Sequence, residues 1–178
     1  MIMYDDFVEK LIAKANKPSV FDCGANLFHQ GDLVRSICIV EKGLVELVRN
    51  QQDGTSIVLQ QAKSLSVLAE ASIYSDVYHC DAVVKLPSRV FVLPKATFLR
   101  LLRQDENLSN SWAALLAREV QSSRSQNEIL SRKTVSERLE GWLMWQDKEL
   151  PPKGQWKSIA AQIGVSPEAL YRELAKRR

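Results

Sequence analysis

Two hydrophobic periods divide the chain. From about Phe21 to Leu93, the apolar positions Ile37, Ile39, Leu44, Val48, Ile57, Leu59, Val83, Phe91 and Leu93 fall in short runs of roughly four to seven residues. Turn signals separate the runs: Gly24, Gly31-Asp32, Lys42-Gly43, Asp53-Gly54 and Pro87-Ser88. This spacing predicts about six to eight short strands in an antiparallel sandwich or jelly roll. From about Lys95 to Gln146 the period becomes helical. Leu101, Leu108, Leu115, Ser122 and Ile129 recur every seven residues, with Trp112 four after Leu108. Such a stripe packs on its own domain, on a second copy, or on both. The heptad spacing favours a two-helix seam, so Leu101, Leu108, Trp112, Leu115 and Ile129 are the predicted dimer contacts, flanked by Arg118, Arg124 and Glu128.

Thr134-Val135-Ser136-Glu137 has the form of a capping box, in which hydroxyl and carboxylate exchange backbone donors. The helix it opens carries Val135, Leu139, Trp142, Leu143 and Gln146 on one face. Pro151-Pro152-Lys153-Gly154 stops that helix. Trp156 to Leu174 then reads as two short helices joined by a tight turn. Ile159 and Ile163 face a core, and Ala160 lets a second helix cross closely. Gly164 supplies a left-handed turn and Val165 plugs the angle. Ser166 caps the second helix and Pro167 takes its first position, where an amide has no partner. Leu170 and Leu174 point inward, leaving Glu168, Ala169, Arg172 and Lys176 outward.

Charge sharpens this picture. Residues 153–178 carry Lys153, Lys157, Arg172, Lys176, Arg177 and Arg178 against Glu168 and Glu173, a net +4 within a chain of +3. Charge concentrated beside a helix pair points to a polyanion, and a helix-turn-helix places its second helix in the major groove of double-stranded DNA. Arg172 is the predicted base reader, because its fork matches the two acceptors of guanine. Glu168 accepts from a cytosine amine or orients Arg172. Ser166, Lys157, Lys176 and Arg177 are assigned to phosphates. Tyr171 touches the backbone or packs inward.

Other chemistry is thinly represented. Apolar residues are 46% and charged residues 25% of the 178, which are globular proportions. No apolar run is long enough to cross a bilayer. The N-terminus has acids where a secretory signal has bases, so a cytoplasmic protein is expected. Cys23, Cys38 and Cys80 form no C-x-x-C, which argues against a disulfide framework or a zinc ribbon. No nucleophile–base–acid set or phosphate loop accompanies the two histidines, so no enzyme activity, metal or cofactor is expected. His79 and Cys80 invite a haem or redox reading. Neighbours in a strand point to opposite faces and do not easily share one metal, so a partly buried strand with a hydrogen-bonded His79 is the simpler expectation. His29 is read as a surface residue.

At this point the residues resemble a known family. Phe21, Gly24, Leu27, Phe28, Gly31 and Asp32 match a Phe-x-x-Gly-x-x-Leu-Phe-x-x-Gly-Asp motif. Ile37, Ile39, Gly43, Val45 and Leu47 follow its strand–Gly–strand signature, and Val135, Arg138 and Leu139 the start of its DNA-binding domain. The recognition-helix Ser, Glu and Arg fall on Ser166, Glu168 and Arg172. The chain thus resembles the bacterial catabolite-activator and fumarate-nitrate-reductase regulator (CRP/FNR) superfamily of transcription regulators. The resemblance implies an α+β fold: a cyclic-nucleotide-binding-like β-roll over 1–100, a dimerisation helix over 101–131, and a winged helix-turn-helix over 132–178. It also implies a homodimer, RNA polymerase as a further partner, and no membrane. Because family wings extend further, a truncated wing or a shortened chain is expected.

Two departures bear on the effector. Where cyclic-AMP-binding members have Gly-Glu and Arg-Ser or Arg-Thr pairs, this chain has Ala69-Glu70 and, at about the second position, Cys80-Asp81. The phosphate's cation is missing and a carboxylate stands beside the gap, so the site is expected to reject a nucleotide phosphate. Glu70, Ser72, His79, Cys80 and Asp81 remain candidates to line a pocket for an unidentified small-molecule effector. The N-terminal cysteine cluster of iron–sulfur members is absent. The competing reading is a ligand- or protein-binding β-roll whose helix-turn-helix is non-functional.

Overall fold

The computed structural model describes residues 2–52, 54, 56–145, 150 and 152–177. Asp53, Gln146, Pro151 and Arg178 lie outside the described residues. The chain forms two compact units, Met1–Leu116 and Ala117–Arg178.

The first unit opens with α1 (Ile2–Ile12), an element that the sequence analysis did not anticipate. Phe7, Val8 and Leu11 of this helix are completely buried. Six strands follow: β1 (Ser19–Phe21), β2 (Asn26–Phe28), β3 (Ser36–Asn50), β4 (Ser56–Ala62), β5 (Val67–Leu68) and β6 (Asp81–Pro94). All pairings are antiparallel. The order is β1-β6-β3-β4, with β2 also on β6 and β5 also on β3. The long strands β3 and β6 form the spine, and register shifts bend their pairing near Gly43. Gly43 is required there: its φ is +112°, and a Cβ would lie 2.7 Å from the Ser88 backbone Cα. The Ser88 hydroxyl fills that space, accepting from the Leu44 amide at 3.1 Å and donating to the Leu86 carbonyl at 2.6 Å.

The helical region divides where it was expected to run on. α2 (Lys95–Gln104) ends at Asp105, whose backbone is extended, and α3 (Glu106–Ser131) restarts with the Asp105 carboxylate capping the Leu108 amide at 3.0 Å. The heptad stripe on α3 is spent inside the chain. Leu108, Trp112 and Leu115 are at most 5% exposed and belong to the core of the first unit. Trp112 packs edge-on against Phe98 at 4.9 Å and lies 6.1 Å from Phe7. Leu101 is half-buried against the same core, and Ile129 is buried in the core of the second unit. Leu108, Trp112, Leu115 and Ile129 are thus removed from water by their own chain, and Leu101 in part.

In the second unit, α3's last turns are followed by α4 (Val135–Trp145), α5 (Trp156–Gln162) and α6 (Pro167–Lys176). Lys153–Gln155 forms a 3-10 turn rather than a plain linker. Leu139, Trp142, Ile159, Ala160, Ile163, Leu170 and Leu174 form the core.

Candidate nucleic-acid interface and ligand site

The α5–α6 pair is built by local rules. Ser166 has extended backbone and accepts the Ala169 amide at 3.2 Å, and Pro167 occupies the first turn. Gly164 adopts φ +63°, and a Cβ there would come within 2.8 Å of Leu130 Cδ2. Leu170 and Leu174 are buried, so the opposite face of α6 turns outward by helical period. Glu168, Arg172 and Lys176 are exposed on it, one turn apart, with Ala169 half-buried beside them. Lys157 is exposed on α5.

Arg172 Nε donates weakly to the Glu168 backbone carbonyl at 3.4 Å. The Glu168 carboxyl is held below the usual carboxylate range, first by its own backbone amide at the start of α6, then by the Ser166 hydroxyl, Lys157 and Arg172. It is thus an ionised acceptor beside the guanidinium. Lys176 Nζ lies 3.8 Å from Glu173.

Arg177 differs from the other cations of the group. Its guanidinium is bound by Glu140 at 2.6 Å, Glu173 at 3.3 Å, and the Ser136 hydroxyl and carbonyl at 2.9 and 3.3 Å. Those contacts brace α6 against α4 and occupy the fork assigned above to a phosphate. Tyr171 is half-buried, with its ring 5.7 Å from that of Trp156.

Two supports of the helix pair had no assigned role in the sequence. Arg138 donates to the carbonyls of Ile163 at 3.2 Å, Gly164 at 3.0 Å and Arg132 at 2.9 Å, so it satisfies the end of α5. Trp142 Nε1 donates to the Gln162 side chain at 2.8 Å, and the Gln126 side-chain amide donates to the Gln162 carbonyl. The Thr134–Glu137 capping box forms with bonds of 3.1 and 2.9 Å, and Lys133 adds a second backbone amide to the Glu137 carboxylate.

The second cluster lies in the first unit. Ala69 holds a left-handed backbone, φ +74°, unusual for a residue with a side chain. It opens a 3-10 turn, Glu70–Ser72. Tyr78, His79 and Cys80 sit in a bend before β6 rather than in the expected strand, because Tyr78 is pinned elsewhere. Its ring stacks on Phe28 at 3.9 Å and its hydroxyl donates to the Ser36 carbonyl at 2.8 Å. Cys80 points into the core and His79 outward.

Ser72 Oγ and His79 Nδ1 are 2.6 Å apart. Burial lowers the His79 pKa, with Arg49 acting in the same direction. Burial raises that of the Cys80 thiol, with Glu70 and Asp81 adding to it against Arg49. Asp81 is bound by the Gln30 amide at 2.7 Å and the Asn50 side-chain amide at 2.8 Å, with His29 at 3.6 Å. Arg49, on β3, was not foreseen here. Its Nη2 donates to the His79 carbonyl at 3.0 Å. No group of three or more His, Cys, Asp and Glu residues able to hold a metal occurs among the described residues. No helix among them is long and apolar enough to cross a membrane.

Comparison with known proteins agrees with this architecture. Residues 18–105 match the cyclic nucleotide-binding domain family. The Cyclic AMP receptor protein of Thermus thermophilus is 26% identical over 161 residues, spanning 85% of this chain and 72% of that protein. The structure of FixK2 from Bradyrhizobium japonicum superposes with a TM-score of 0.73 at 17% identity, covering 91% of this chain and 83% of that one. CLP, the c-di-GMP responsive global regulator of Xanthomonas campestris, gives 0.71 at 16% identity, covering 97% and 90%. Sequence and fold thus resemble those of the Cyclic AMP receptor protein over most of the chain, with the cyclic nucleotide-binding match confined to residues 18–105.

Proposed function

We propose that this protein is a sequence-specific, double-stranded-DNA-binding transcription regulator that acts as a homodimer. Residues 1–100 form its sensor, 101–131 its dimerisation helix and 132–178 its helix-turn-helix reading head. The observation that carries the reading is the outward face of α6. Glu168, Arg172 and Lys176 are exposed in register while Leu170 and Leu174 anchor the helix beneath them. Arg172 reads a base edge, Glu168 sets its direction or accepts from a cytosine amine, and Lys157, Ser166 and Lys176 take phosphates. Arg177 acts by bracing α6.

Dimerisation uses a different side of α3 from the heptad stripe. Ala113, Ala117, Val120 and Arg124 are exposed and three or four residues apart, which supports a close helix–helix seam. Two reading heads on a two-fold axis meet half-sites about 34 Å apart. RNA polymerase is a further partner of such a regulator.

The β-sheet domain senses a small molecule other than cyclic AMP. The start of β6 offers a buried thiol and an amide-bound carboxylate in place of a cation and a hydroxyl. Fluorescence anisotropy against genomic DNA fragments across a salt series tests the regulator reading. Saturable, competitor-resistant binding that weakens linearly in log salt is expected. Its absence would instead favour a ligand- or protein-binding module with a non-functional helix-turn-helix. Calorimetry with cyclic AMP and cyclic GMP is expected to show no heat.

A further inference from the structure

We propose that the second unit carries a binding site of its own, for a small aromatic carboxylate, in the groove between the 3-10 turn before α5 and the flank of α6. Such a site depends on neither the sensor nor the regulator reading. The groove has a volume of about 420 Å³ and is lined by Lys153, Trp156, Tyr171, Leu174 and Ala175. That lies within the roughly 300–1,000 Å³ of clefts that hold small molecules. Local geometry sets both walls. In a 3-10 turn, side chains three residues apart eclipse. The Trp156 amide donates to the Lys153 carbonyl across that turn, so the lysine stem and the indole leave the backbone on one side. On α6, Tyr171, Leu174 and Ala175 are spaced by three and four, which places them on one helical stripe.

The Trp156 and Tyr171 rings meet at 5.7 Å between centroids, tilted by 43°. Both residues are half-buried and line the groove, so aromatic surface remains for a further ring. Leu174, 6% exposed, forms the floor. Ala175 is exposed and small, which leaves the groove open. Charge then selects the ligand. Lys153 is exposed and is the one charged residue among the described lining residues. Glu173, on the same helix as Tyr171, is engaged by Arg177 at 3.3 Å and Lys176 at 3.8 Å. An apolar groove with aromatic walls and a single exposed cation fits a planar ring that bears one carboxylate. A neutral ring leaves Lys153 unused, a cationic one is repelled by it, and an anion without a ring leaves the aromatic walls uncovered.

The test titrates phenylacetate, acetate, phenethylamine and a DNA duplex separately into the full chain and follows the tryptophan indole N–H signals by nitrogen-edited NMR. Trp156→Phe assigns the Trp156 signal among the four tryptophans. Phenylacetate is expected to shift it saturably in the millimolar range or below, while the signal of Trp112, buried in the first unit, stays in place. Acetate, which lacks the ring, and phenethylamine, which carries the opposite charge, are expected to shift it far less. Lys153→Met is expected to weaken phenylacetate about fivefold, with Lys153→Arg retaining most of the affinity. Ala175→Leu fills the groove from an exposed position, so the fold is kept and binding is lost. No saturable shift, equal binding of acetate or phenethylamine, or unchanged binding in Lys153→Met or Ala175→Leu would overturn the proposal. So would a Trp156 signal moved by duplex DNA alone, which would make the groove a duplex contact.

Discussion

The two arginine-bearing sites of this molecule are assembled in opposite ways. On α6, Glu168, Arg172 and Lys176 are one turn apart in a single helix, and a cap and two leucines suffice to present them. In the β-sheet unit, Arg49 meets His79 across 30 residues, and Asp81 meets Gln30 across 51. The first surface depends on one helix keeping its seat. The second depends on the register of the β3–β6 spine. A surface built by local contacts keeps its shape while its domain is disturbed. A cluster built from distant strands changes whenever those strands shift.

That contrast is open to direct attack, beginning where the effect is largest. Leu170→Ala removes a fully buried side chain from the small core under α6 and is expected to cost about 2–5 kcal/mol. Urea denaturation followed by tryptophan fluorescence checks this, and DNA binding should be lost with it. Arg138→Met leaves the carbonyls of Ile163 and Gly164, in the turn after α5, without their charged donor, for about 1.5–3 kcal/mol in the same assay. Arg172→Ala is expected to leave stability unchanged while costing about 1–3 kcal/mol at the cognate site and relaxing the preference at one base position. Lys176→Ala should weaken all sequences alike and flatten the salt dependence.

The smallest effect is the most specific. The Thr134 amide first, then the Thr134 hydroxyl and the Lys133 amide, holds the exposed Glu137 carboxyl below the usual carboxylate range. A group whose folded pKa is depressed contributes stability above its unfolded value, near 4.3, and loses it as pH falls through the folded one. Acid titration of unfolding should therefore show a component that disappears in Glu137→Gln. A pH profile identical in that variant would mean that the capping box carries no ionic weight.

How much was legible in the chain follows the same division. The α6 surface was readable residue by residue, because capping, a proline at the first turn and a four-residue spacing are local chemistry. Ser166, Leu170 and Leu174 lie where those rules put them. The heptad stripe shows where such reading stops. Leu108, Trp112 and Leu115 were correctly seen as apolar on one helical face, yet period alone does not name the surface that receives them. Phe98 and the unanticipated α1, with Phe7, received Trp112. Arg177 was counted as a free basic group because Ser136 and Glu140, some forty residues away, were not visible as its partners.

Period, turn chemistry and the charge of the last 26 residues were enough to order the strands before the helices that follow Pro94 and to mark Arg172 as outward. They act over three or four neighbours, and a linear chain displays its neighbours openly. The folded arrangement alone decided that Arg49 returns to the bend at His79, that Asp81 is bound by amide donors, and that the most apolar stripe of α3 packs against its own chain. Each of those depends on which distant backbone closes beside a side chain, and long-range strand pairing and core packing choose that partner only when the whole domain condenses.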